Sequence, residues 1–247
     1  MKLKNLWHGG IFILMVAFLL AACAPAQSLA QTTSSSTAPV ASATSASTST
    51  AQATTATTAA TAPASASGTR YVLVPANSSA SYSVREQLAQ LKLPTDAVGK
   101  TNSVSGQLVV NSDGSIDTKN SQFVVDVSTL KTDSTMRDGY VANNILQSNQ
   151  YPNAIFVPTQ LSGLPSPLPQ SGNLSFTVTG NLTIRNVTKP VTWTVTGSIA
   201  NGEATGTATT SFTFEDFGLN QPQVPVVLSV VDKITLTVTF DLQPSTN

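Results

Sequence analysis

LSFTVTGNLTIRNVTKPVTWTVTG, residues 174–197, alternates apolar and hydroxyl side chains almost without interruption. Leu174, Phe176 and Val178 are separated by Ser175 and Thr177, and beyond Gly180 the alternation resumes with Leu182 and Ile184. Val191, Trp193 and Val195 then alternate with threonines. A period of two carried by β-branched and aromatic residues marks strands with one covered face. Between the two runs, NVTKP at 186–190 breaks the pattern and predicts a turn; Pro190 has no N–H to give to a ladder. The stretch reads as a long antiparallel hairpin with one apolar face. A lone hairpin is marginal in water, so further strands must cover that face.

On both sides the alternation recurs. Residues 71–74 and 79–84 read as short strands; 97–110 carries Val104, Gly106, Leu108 and Val110 on one face, and 121–127 carries Phe123, Val125 and Val127. Asn111-Ser112-Asp113-Gly114 and Asn201-Gly202 are turn signals. Tyr151-Pro152 leads into a strand at 154–157 containing Phe156, and three prolines between 161 and 172 mark an exposed loop. A strand over 204–214 ends in Phe212 and Phe214, a break follows at 215–218, and 221–225 is loop. Residues 233–242 set Ile234, Leu236, Val238 and Phe240 against Thr235, Thr237 and Thr239. Residues 85–93 (REQLAQLKL) place Leu88, Leu91 and Leu93 at helical spacing before Pro94. They predict a short helix, either packed on the surface or gating a cavity. Thr132, Asp133 and Ser134 are cap candidates for a second short helix over 135–138. Eight or nine antiparallel strands with no intervening helical repeat exclude βαβ architecture and leave a sandwich or an up-and-down barrel. Threonines on the outer face and few charges suit a closed barrel, which has no edge to protect. The inner face is by default core; a packed interior and a lined cavity read alike in sequence.

Only 10% of the 247 residues are charged, with 12 basic residues against 12 acidic ones, so no basic nucleic-acid surface is expected. The first 22 residues read as an export signal: Lys2 and Lys4 precede an apolar run at 11–20 that is too short to span a bilayer. Leu20-Ala21-Ala22-Cys23 resembles the lipobox of bacterial lipoproteins, in which the cysteine becomes the lipidated N-terminus of the mature chain. The alternative is an ordinary signal peptide with a chance cysteine. Residues 23–68 are almost wholly Ala, Ser, Thr, Gln and Pro; they cannot bury enough apolar surface to offset chain entropy and are expected to be a flexible tether. The folded domain is then 69–243. The expected location is outside the cytoplasm, lipid-anchored to the outer face of the cell membrane or in the periplasm.

Loss of the signal removes His8, the single histidine, and leaves 10 basic against 12 acidic residues. Ser-His-Asp, Cys-His and His/Cys zinc chemistry are then out of reach. Glu215 and Asp216 are neighbours, which strand geometry would send to opposite faces. No catalytic residue, metal site or cofactor is expected. Arg137 and Asp138 are the notable charges. Either Arg137 fixes a loop by pairing with a carboxylate while Asp138 caps the next turn, or Arg137 stands at a barrel mouth and meets an anionic or quinone headgroup.

Five segments in order, AVGKTNSVSGQL (97–108), TLKTDSTMRD (129–138), QYPNAIFVPT (150–159), TGNLTIRNVTKPVTWTV (179–195) and FEDFGL (214–219), resemble the YceI-like polyisoprenoid-binding family. The resemblance covers the whole predicted domain and implies an all-β, antiparallel, eight-stranded, lipocalin-like extended barrel with one or two short helices. It also implies a long apolar cavity for an isoprenoid lipid, a prenyl quinone or polyprenyl phosphate. Candidate wall residues are Phe123 and Val125, Phe156, then Phe176, Val178 and Leu182, then Trp193 and Val195, then Phe212 and Phe214, and finally Leu236 and Phe240. Arg137 is the headgroup candidate. Two positions depart from the family pattern: Gly139-Tyr140-Val141 stands where many members have a histidine, and Asn186 stands where many have glycine, a replacement that tolerates a left-handed backbone. The expected role is a lipid-anchored carrier or store of an isoprenoid lipid, not an enzyme. The alternative is a non-enzymatic surface interaction module with a solid core.

Overall fold

A computed structural model of the chain describes residues 68–165 and 168–245; the predicted signal, Cys23 and all but the last residue of the predicted tether lie outside the described residues. Ten strands make one antiparallel sheet. They are β1 (Thr69–Leu73), β2 (Ser79–Leu88), β3 (Thr95–Thr101), β4 (Val104–Val110), β5 (Gln122–Asp126), β6 (Asn153–Ser162), β7 (Ser171–Ile184), β8 (Val187–Ala200), β9 (Glu203–Phe212) and β10 (Val227–Ser245). β1 and β2 are halves of one long strand, interrupted by a 3-10 turn at Pro75–Asn77, and both run along β10: Arg70 faces Ser245, Ser79 faces Thr239 and Leu88 faces Val227. β3 and β4 are likewise halves of one strand beside β2 and β1. Counted so, the sheet is a closed ring of eight, sealed where β10 pairs with β9 on one side and with β1 and β2 on the other.

The central hairpin is present over its full length, with Leu174 opposite Gly197 and Val178 opposite Trp193. Its turn differs from the expectation. Only Arg185 and Asn186 turn, and Val187, Lys189 and Pro190 are already strand. Pro190 is tolerated because β9 pairs with β8 only from Thr194 onward, so the side of Pro190 that lacks an N–H faces no partner strand. The left-handed residue is Arg185 (φ 57), not Asn186.

Residues 85–93 are not a helix. β2 continues through Leu88, and residues 89–94 are the turn to β3. Period two simply persists: Tyr82, Val84, Glu86 and Leu88 face the interior. Leu91 and Leu93 coincide with a helical period by chance, and no helical backbone gates the cavity there.

The one α-helix among the described residues, α1 (Thr135–Tyr140), runs into a π-helical turn at Val141–Ile145. Ser134 caps it, its Oγ accepting from the Arg137 amide. Asp138 does not cap the following turn but reaches back: the Thr132 amide and hydroxyl donate to its Oδ1 at 2.7 and 2.8 Å. Those donors hold the Asp138 carboxyl below the usual range. Two backbone hydrogen bonds between Lys100 and Lys131 tie β3 to the segment that precedes α1. The helical segment thereby covers one end of the barrel, where Tyr140, Ile145 and Leu146 pack with Val84, Leu182, Phe212, Phe217 and Ile234. Arg185 pins it from below, donating to the Ile145 carbonyl at 3.4 Å and lying 6.0 Å from the centre of the Tyr151 ring. We call this the helical end. The opposite end carries the β4–β5 turn, the β6–β7 loop and the Asn201-Gly202 turn.

Four glycines lie under aromatic rings of the adjoining strand. A Cβ on Gly99 would sit 2.2 Å from the Tyr82 ring, on Gly106 2.7 Å from Phe123, on Gly180 2.6 Å from Phe156 and on Gly206 3.0 Å from Phe240. Three of these are directly opposed pairs in the ladder: Tyr82–Gly99, Phe123–Gly106 and Phe240–Gly206. Each ring therefore folds onto the wall.

Gly180→Ala puts a methyl 2.4 Å from the Val157 carbonyl oxygen, and its expected cost is about 1–3 kcal/mol of unfolding free energy. Gly139→Ala has the opposite expectation. Gly139 is exposed within α1 and its Cβ would meet nothing within 4 Å, so the variant gains about 0.5–1 kcal/mol from helix propensity. Denaturant midpoints of the two variants against the parent chain check both signs.

Candidate functional site

The barrel is hollow. A cavity of about 1480 Å³ runs its length, larger than the roughly 300–1,000 Å³ of ordinary small-molecule pockets. Its wall is the set of inward positions on every strand. β7 and β8 supply Leu174, Phe176, Val178, Leu182, Trp193 and Val195; β9 and β10 supply Ala208, Phe212, Leu236, Val238 and Phe240; β5 and β6 supply Phe123, Val125 and Phe156. All twelve apolar wall candidates named from the alternation, Phe214 included, face this one cavity. The structure thus shows a lined space and not the solid core of the alternative reading.

Sequence reasoning missed part of the lining. Tyr82, Glu86, Leu88, Ala97, Tyr140 and Ala208 also face the cavity. Glu86 was masked by the helical reading of 85–93; extending the period-two count from Tyr82 and Val84 places it inward.

Polar groups gather at the helical end. Arg137 lies on the wall with Glu86 and Asp133. Its Nη2 donates to Glu86 Oε1 at 2.6 Å, and its Nη1 donates to Asp133 Oδ1. The Glu86 side chain is only 8% exposed and that of Arg137 19%. Burial would lower the guanidinium's pKa, but the two carboxylates outweigh it, and the net shift is upward. Arg137 is therefore an internally paired cation that ties α1 to β2, and it also borders the cavity. Near it, burial pushes the Tyr82 phenol up to about 12, with Arg137 opposing. The Tyr82 hydroxyl and the Trp193 indole N–H have no hydrogen-bond partner among the described residues although both atoms are buried. Trp193 packs edge-on against Phe156, with ring centres 5.7 Å apart. Glu215 and Asp216 are exposed residues of a 3-10 turn, where Asp216 accepts from the Thr213 amide.

Among the described residues no group of three or more His, Cys, Asp or Glu is placed to hold a metal, and no helix is long and apolar enough to cross a membrane.

Residues 71–242 match the YceI-like domain. The chain belongs to the YceI-like family. Three solved structures share the fold. BcnA of Burkholderia cenocepacia is 21% identical, with 68% of this chain and 98% of that one covered and a TM-score of 0.51. A polyisoprenoid binding domain from Saccharophagus degradans implicated in plant cell wall breakdown is 10% identical, covering 71% and 98%, with a TM-score of 0.54. The YCEI protein of Campylobacter jejuni is 15% identical, covering 65% and 91%, with a TM-score of 0.50. None of the curated proteins is detectably similar.

The buried pairing makes a clear expectation for Arg137→Ala. It leaves the Glu86 carboxylate buried without a counter-charge, and should cost about 2–3 kcal/mol of stability, below the full range for a wholly buried pair. Adding Glu86→Gln should restore part of that loss in denaturant unfolding. Tyr82 gives a pH signature. Its folded pKa is raised, so the unfolded chain ionises first and stability falls as pH climbs from about 10 toward 12. In Tyr82→Phe that alkaline fall is smaller, as read from unfolding midpoints across the same window.

Proposed function

We propose that this protein binds one long apolar lipid of the isoprenoid class along its barrel and carries or stores it outside the cytoplasm. The single observation that carries the reading is the open apolar cavity. An isoprenoid chain buried there gains at most about 0.8 kcal/mol for each methylene-sized group taken out of water. Several isoprene units then supply useful affinity with no special polar contact. The family and the polyisoprenoid binding domain that shares the fold support the same ligand class. The wall offers an affinity device and no assembled nucleophile or base, so binding, not turnover, is the activity proposed.

Within the same proposal, Cys23 is acylated after removal of residues 1–22 and anchors the chain to the outer face of a membrane, and 23–68 is the tether. The random-coil estimate gives such a tether an r.m.s. reach of roughly 35–40 Å. A quinone headgroup would reach the Tyr82–Arg137 region; a phosphorylated one would have to displace Glu86 from Arg137.

The test begins with mass spectrometry of organic extracts of the protein purified from its native host. The expected result is a co-purified isoprenoid lipid. Removal of the signal takes Trp7 with it and leaves Trp193 as the single tryptophan, so added prenyl quinone should quench its emission saturably. Ala208→Trp, which fills the lumen from β9, should fold and lose uptake. An empty protein whose Trp193 emission ignores prenyl quinones would overturn the reading.

A further inference from the structure

Large apolar side chains are unevenly exposed. Leu91, Leu93, Met136, Val226, Leu228 and Val231 are all exposed, Leu93 and Met136 by more than two thirds, and all lie at the helical end. The 89–94 turn meets the 222–231 segment directly: the Ala89 amide donates to the Val226 carbonyl at 3.0 Å, and Leu88 faces Val227 in the ladder. Met136 stands on α1 beside them on the same cavity, with Gln90 and Pro225. Gln90, Asp133, Met136 and Val226 line the cavity and are exposed, so beside the helical cover the cavity wall reaches the surface; Leu91, Leu93, Leu228 and Val231 stand next to that opening, outside the lumen. Residues 219–231 carry no charge at all, and the 89–94 turn carries only Lys92. At the opposite end the cavity reaches the surface beside Asn111, Ser112 and Asp113, and Leu168 is the one large apolar residue exposed there among the described residues.

A rim of exposed apolar side chains continuous with an apolar lumen, carrying Lys92 and with Asp133 and Arg137 beside Met136, is costly to leave in water and marks a contact surface. The chain outside the structure indicates which surface. Its attachment point, Thr69, is at the end opposite the helical one, beside Val110 and Ser245. The 14-residue β8 sets the barrel length at roughly 35 Å, from about 3.3 Å per residue and a strand tilt near 40°. If residues 23–68 are the tether and Cys23 the anchor proposed above, a random-coil reach of roughly 35–40 Å would be long enough for the far end of the barrel to turn toward that membrane.

We propose that the rim formed by the 89–94 turn, the 222–231 segment and Met136 seats in the surface of a lipid bilayer, so that the barrel opens directly onto the acyl chains. This rests on the lipid-carrier reading and deepens it. Insertion is driven by apolar burial to the depth of the headgroup boundary, about 5–10 Å. Lys92 reaches back to the phosphates with its stem along the apolar surface. Binding should therefore be insensitive to salt and should not require anionic lipid.

The test uses the mature lipidated protein reconstituted in phosphatidylcholine vesicles. Acylated Cys23 leaves no other thiol, so Leu93→Cys, Leu228→Cys and, at the far end, Leu168→Cys each take one environment-sensitive fluorophore. The expected result is a blue shift at 93 and 228, with quenching by spin-labelled lipid, and neither at 168. Quenching at 168 instead, or at none of the three, overturns the proposal. So does a blue shift at 228 without vesicles together with a dimer in sedimentation, which would assign the rim to a second copy of this chain. Leu91 and Leu228 lie outside the lumen, so Leu91→Ser/Leu228→Ser should hold as much prenyl quinone at saturation as the parent. Its rate of uptake from vesicles should fall about tenfold, the scale set by two lost leucine insertions. Unchanged uptake overturns membrane seating and leaves lipid binding intact; absent quinone binding in the parent overturns the carrier reading, whatever the fluorophores report.

Discussion

An aromatic side chain on the inner wall of a small barrel has two places to go. It can cross the lumen and meet its counterparts, or it can lie along the wall over the next strand. The second course needs a missing side chain on that strand, and Gly99, Gly106, Gly180 and Gly206 supply it under Tyr82, Phe123, Phe156 and Phe240. An eight-stranded barrel is just wide enough for side chains to fill or for one ligand to occupy. Four rings turned aside decide between those outcomes, and the cavity of about 1480 Å³ depends on them. The rings still bury their faces against backbone and against each other, as Phe156 does with Trp193, so the hollow interior does not forfeit the aromatic contribution to stability.

The two ends of the ring are built differently. At one end tight turns such as Asn201-Gly202 join neighbouring strands, and polar groups border the opening. At the other the chain leaves the sheet for some 25 residues between β5 and β6 and returns as a helical plug. That plug is held by unlike means: an ion pair from Arg137 to Glu86, a backbone bridge from Lys131 to Lys100, a contact from Arg185 and a shared apolar cluster. Arg137 is a strut that also borders the lumen. Of its two sequence readings, the structure shows the pairing.

Much of this was legible in the chain. Alternation over 174–197 and 233–242 located the strands and their inner faces, because a period of two leaves each side chain only one face to choose. The inward placement of the twelve wall candidates follows from that rule, while their lining a cavity was implied by the family resemblance; of the three cap candidates Thr132, Asp133 and Ser134, the structure uses Ser134. Two features were not legible, for physical reasons. Residues 85–93 carry leucines at helical spacing, of which Leu88 alone also continues the period of two from Tyr82 and Val84, and the pairing partner β10 decides for strand through Leu88. The turn at Arg185–Asn186 was read too far downstream because Pro190 signals a break; its harmlessness depends on β9 stopping short of it, a fact of topology. Whether the inner face closed on itself or stood open was also beyond composition, since it depends on which strand each glycine faces.

The closure of the ring has a consequence for how the barrel is made. β6 to β10 are neighbours in sequence and in space, and can pair as the chain supplies them. The seam is different: Arg70 must find Ser245, the first strand meeting the last. Contacts of such separation are entropically expensive and slow to form. Until that seam zips, the future lumen is an open trough with an apolar floor, and β1, β2 and β10 present unpaired edges beside it. The lifetime of that trough, more than the depth of the final energy well, sets how much chain survives to become a barrel.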